Sequence, residues 1–94
     1  MTTSDQITTT NEARVPLAFV ATGSAVVLVE LGSAIDSMLR EQLTSYGLTP
    51  NRSISVLQQR PMTVILADEV ELALEHRVAR QIWVEPAPNA RNGN

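Results

Sequence analysis

The chain has 94 residues, enough for one domain with a small core and modest stability. Ten acidic residues stand against seven arginines and no lysine, a net charge of −3 that argues against nucleic acid as a partner. Three aromatics (Phe19, Tyr46, Trp83) are too few for a base-stacking platform.

The core is expected to be built of Val, Ile, Leu and Ala, which suits strands. The absence of cysteine removes disulfides, thiolate metal sites and cysteine nucleophiles, and is consistent with a reducing cytosol. No apolar run approaches the roughly 20 residues needed to span a bilayer, and MTTSDQITTTNEAR has no positive segment leading into an apolar one. A cytoplasmic protein with no secretory signal and no direct membrane insertion is expected.

Residues 1–14 are polar and Thr-rich, and residues 87–94 are of similar character, so both are expected to be disordered tails around a body at 15–86. Val15-Pro16-Leu17 enters the body, and Thr22-Gly23-Ser24 turns into a strand over 25–31. In that strand Val27, Val29 and Leu31 share one face, while Val26, Leu28 and Glu30 share a face that is only partly covered. Gly32 breaks the strand, and Ser33 or Asp36 can cap a helix whose apolar stripe is Ile35, Leu39, Leu43 and Tyr46.

That helix stops at a turn with several local signals. Gly47 suits the left-handed position after a helix, which puts Leu48 against Leu43 in a Schellman-type close. Pro50 cannot continue a helix, and Asn51 tolerates positive φ. Strand-like runs follow at 53–58, 62–67 and 70–75, the last with Val70, Leu72 and Leu74 inward and Glu71, Ala73 and Glu75 outward. Asp68-Glu69 links the last two runs. One helical turn over 76–81 and a short strand at 82–85 complete the body. The order fits a mainly β fold with an inserted helix, a small five-stranded SH3-like barrel.

The sequence contains no phosphate-binding glycine loop, no GxGxxG and no GxSxG, so nucleotide binding and acyl transfer lack their usual signatures, and its single histidine has no serine placed beside it, so a hydrolase is not expected. The densest polar cluster is Asp68, Glu69, Glu71, Glu75 and His76. Glu71, Glu75 and His76 could offer oxygen and nitrogen ligands to a divalent metal, or they could be a solvated strand face balanced by Arg77 and Arg80. Trp83 and Met62 could be partner anchors or core.

Taken together, VPLAFVATGSAVVLVEL, a helix ending in LTSYGLTPN, SISVLQQRP and VELALEHRVARQIWVEP resemble the FeoA family of small bacterial proteins associated with ferrous iron uptake. Its hallmarks stand here as Pro16-Leu17, Gly23, the turn from Tyr46 through Gly47, Leu48, Thr49 and Pro50 to Asn51, Arg60-Pro61-Met62, Leu72-Ala73-Leu74 and Ile82-Trp83-Val84. Tyr46 replaces an aliphatic residue, Asn51 replaces the turn glycine, and the segment after Pro61 is short.

The resemblance implies an SH3-like barrel without enzymatic activity or cofactor, acting as an accessory that binds the cytosolic GTPase part of a membrane ferrous iron transporter. Tyr46, Leu48, Arg52 and Met62 are the expected partner contacts, and Gly47, Pro50 and Asn51 the structural turn. Two alternatives stand beside it: a metal-responsive regulator or metal carrier using the acidic cluster with His76, and a self-associating barrel forming a homo-oligomer.

Overall fold

The computed structural model describes residues 14–87. In chain order it contains β1 (Val15–Pro16), a 3-10 turn (Leu17–Phe19), β2 (Ala25–Leu31), helix α1 (Ser37–Ser45), β3 (Ser53–Gln58), β4 (Thr63–Ala67), β5 (Val70–Leu74), helix α2 (His76–Ala79) and β6 (Ile82–Pro86). The expected tails fall outside the described residues except at their inner ends, and those ends belong to the body. Arg14 pairs with Glu30 and stands 5.7 Å from the centroid of the Trp83 ring. Ala87 is buried, and its N–H donates to the Ala25 carbonyl.

The strands form one antiparallel sheet in the order β1-β6-β2-β3-β4-β5. This is the expected small β fold with an inserted helix, with six strands instead of five. The added strand, β1, is two residues long because Pro16 lacks an N–H and the 3-10 turn begins at once after it. β1 and β5 lie at opposite edges of the sheet order and do not pair with each other, so the sheet is not hydrogen-bonded into a closed barrel.

Alternation places Ile54 and Val56 of β3, Ile65 and Ala67 of β4, and Ile82 and Val84 of β6 in one core with Leu17 and Leu74. In β2 the buried residues are Val26 and Leu28, while Val27, Val29 and Leu31 are half-buried, the reverse of the face expected to be better covered. A register shift between Leu28 and Glu30 explains the difference: strict parity would carry Glu30 onto the core face, and the irregularity releases it to solvent. Val70 is likewise exposed instead of inward, because it sits at the hairpin end of an edge strand.

Helix α1 starts at Asp36, whose Oδ1 accepts from the Leu39 N–H at 2.8 Å, and lays Ile35 and Leu43 on the core with Leu39 half-buried. It ends as a Schellman close: the Gly47 N–H donates to Thr44 at 3.0 Å and the Leu48 N–H to Leu43 at 3.1 Å, with Gly47 at φ 104°. Asn51 takes φ 75°, and bonds from Asn51 N–H to Leu28 O (2.8 Å) and from Leu28 N–H to Arg52 O (2.9 Å) tie the turn to β2. Asp68, at φ 59°, makes the two-residue link closing on the Ala67–Val70 pair.

Candidate interaction surface

The expected contact residues do not form one patch. Tyr46 is 44% exposed at the end of α1, but Leu48 is 0% exposed. Leu48 is therefore withdrawn from the surface: the same Schellman close that stops the helix folds its side chain against Leu43 in the core. Arg52 precedes β3 and Met62 follows it, so they lie at opposite ends of a strand that spans about 20 Å at ~3.3 Å per residue. Arg52 is held at its end by Asp68 across 2.7 Å.

A residue that the sequence pattern did not single out stands on the outer face of α1. Met38 is 78% exposed, and with Glu41, Gln42 and Ser45 it lines a shallow depression. The signal was present in the helix pattern, because Met38 lies off the expected stripe of Ile35, Leu39, Leu43 and Tyr46; Tyr46, expected in that stripe, is itself exposed because it stands at the helix end, past Ser45. Tyr46 continues the same face one turn past Gln42. Beyond it the turn forms a second hollow lined by Thr49, Pro50, Asn51, Arg52, Ser53 and Asp68. The helix thus leaves a thioether and a phenol ring exposed, and the turn past it carries Arg52 paired with Asp68.

Arg40, on the flank of α1, has a structural task. Its guanidinium donates to the carbonyls of Leu31 (3.1 Å), Gly32 (2.7 Å) and Ile35 (3.2 Å), closing the loop that leads from β2 to the helix. At the other end of the sheet Gln59 organises a second polar cluster. Its Nε2 donates to Leu17 O (3.0 Å) and Val20 O (2.7 Å), and its Oε1 accepts from the hydroxyl of fully buried Thr63 at 2.6 Å. These bonds satisfy the buried hydroxyl and pin the 3-10 turn to the loop containing cis Arg60–Pro61.

His76 completes that cluster, its Nε2 bonded to the Gln59 carbonyl. This bond commits one ring nitrogen to the backbone. Glu75 accepts from Arg77 Nε at 2.7 Å, and its hydrogen bond and charge raise the basicity of that guanidinium. Asp68 is taken by Arg52, and Glu69 and Glu71 remain exposed. Among the described residues no three His, Cys, Asp or Glu side chains are gathered where they could hold a metal ion. The cluster around Glu71, Glu75 and His76 is thus dispersed into ion pairs, a backbone bond and solvent. Trp83, the other residue with two readings, is half-buried under Arg14, and Met62 is half-buried in its loop.

A FeoA domain model matches residues 15–86. The chain belongs to the FeoA family. A crystal structure of an iron uptake regulatory protein (FeoA) is 30% identical with a TM-score of 0.66, the match covering 79% of this chain and 97% of that one. The solution structure of a FeoA protein from Chlorobium tepidum is 19% identical with a TM-score of 0.70, over 77% of this chain and 70% of that one. A manganese-dependent transcriptional repressor matches with a TM-score of 0.70 at 21% identity, over 79% of this chain and 42% of the repressor. The last two establish the fold alone. No curated protein matches the sequence. The FeoA fold is SH3-like and the family is associated with ferrous iron transport. No helix among the described residues is long and apolar enough to cross a membrane.

Proposed function

We propose that this member of the FeoA family is a non-enzymatic accessory of bacterial ferrous iron transport that binds the cytosolic GTPase region of a membrane ferrous iron transporter. The observation that supports this reading best is the exposure of Met38 on α1 and of Tyr46 at its C-terminal end, on a helix held in the core by Leu43 and by Ile35 just before it. The turn carrying Arg52 extends the contact. Exposed apolar side chains on a rigid helix bind at low entropic cost, since the backbone is already ordered before the partner arrives.

The metal-carrier alternative has no gathered donor set among the described residues to support it. The likeness to metal-dependent repressors covers less than half of those chains and carries no metal site to this one. Binding of the purified protein to an isolated transporter GTPase region tests the proposal. Met38→Glu and Tyr46→Glu should weaken the complex while leaving the thermal melt in place, and undiminished binding by both variants would rule out the α1 face.

A further inference from the structure

The two edges of the sheet differ in what they offer. β1 presents two residues, one of them a proline without an N–H, so it cannot template another strand. β5 is five residues long, and its hairpin closes on Ala67 and Val70. In a two-residue hairpin that closing pair exchanges both ladder bonds, and so do the Ile65–Leu72 and Thr63–Leu74 pairs. Alternation therefore turns the N–H and C=O groups of Glu71 and Ala73 away from β4. Both residues are exposed, and neither enters the backbone bonds made outside the helices and strands.

Charge decides what fits this edge. Asp68 and Glu75 are matched by Arg52 and Arg77, each at 2.7 Å, whereas Glu69 and Glu71 have no ion-pair partner among the described residues. A second copy is a poor match. The antiparallel register that engages all four free backbone groups sets Glu71 opposite Ala73 of the copy, and so brings Glu69 opposite Glu75 of the copy at both ends. Glu75 is already taken by Arg77, so that register brings no cation to Glu69 or Glu71. An extended segment with lysine or arginine at alternate positions satisfies the same backbone groups and places its cations beside Glu69 and Glu71.

We propose that the β5 edge receives an extended basic segment of another protein as an added strand, held by the backbone of Glu71 and Ala73. This site does not depend on the α1 face, and either can fail without the other.

The probe is a synthetic peptide of about eight residues alternating threonine and lysine, long enough to cover one strand. It is titrated into the protein while amide shifts and hydrogen exchange are followed by NMR. Saturable shifts and slowed exchange at Glu71 and Ala73 are expected. Ala73→Pro removes a donor that faces away from β4, so the fold persists and affinity falls by up to about tenfold, the worth of one hydrogen bond. Glu71→Lys weakens binding by opposing the peptide charge, and carries the test if the proline variant fails to fold. Shifts confined to other residues, equal binding by the folded variants, or equal binding of a threonine–glutamate peptide would overturn the proposal. So would concentration-dependent protection of the same two amides without peptide, which would mean that copies of the chain pair with each other.

Discussion

Two glycines separate conformational strain from steric crowding. A Cβ at Gly47 meets nothing within 4 Å, so Gly47→Ala loses only the ease of φ 104° and should cost about 1–2 kcal/mol in urea unfolding. A Cβ at Gly32 would stand 2.7 Å from the Gln81 carbonyl, which also accepts the Gly32 N–H at 2.6 Å. Both groups are backbone, so relief requires moving β6 against β2, and Gly32→Ala should cost more, about 2–3 kcal/mol. At Thr63, valine preserves the volume but leaves Gln59 Oε1 without its donor, an expected loss of about 1–3 kcal/mol that Thr63→Ser should largely avoid in the same unfolding experiment. Gly47, Asn51 and Asp36 were legible in the sequence because their roles are local: a positive φ or a cap needs only a few neighbouring residues. Gly32 reads from sequence as a strand breaker, and its closer task emerges only when β6 arrives beside it.

Among the elements, α1 was legible from its stripe and its caps, but the direction of its free face required the sheet. The Leu43–Leu48 contact read from the sequence is what buries Leu48, against its expected place among the partner contacts, while Met38, outside the stripe, is exposed. Leu48→Glu should therefore unfold the protein, whereas Met38→Glu should shift stability by no more than ~0.5 kcal/mol, as thermal melts of the two variants would show. β2 shows what alternation cannot reveal. Its parity is broken between Leu28 and Glu30, where it faces β6, and a bulge depends on the partner strand as much as on its own residues. The Arg14 contact with Trp83 joins the start of β1 to the same region. Arg14→Ala should change the fluorescence of the only tryptophan and lower stability by about 0.5–1 kcal/mol.

At the scale of the whole molecule, family and fold were readable because glycine, proline and aliphatic spacing record turns and core faces. The contact surface was not readable in the same way. Arg52 and Met62 are ten positions apart in sequence and at opposite ends of β3 in space, and the acids near His76 are dispersed by Arg52, Arg77 and the Gln59 carbonyl. What remains among the described residues is a small SH3-like body with its polar clusters largely spent on holding loops, with Met38 and Tyr46 exposed along α1. The most direct test is calorimetric titration of the protein with the cytosolic GTPase region of a membrane ferrous iron transporter. Saturable binding, weakened about tenfold or more (~1.4 kcal/mol) by Met38→Glu at an unchanged melting temperature, is the predicted result. Absence of binding, or binding that Met38→Glu and Tyr46→Glu leave untouched, would contradict it.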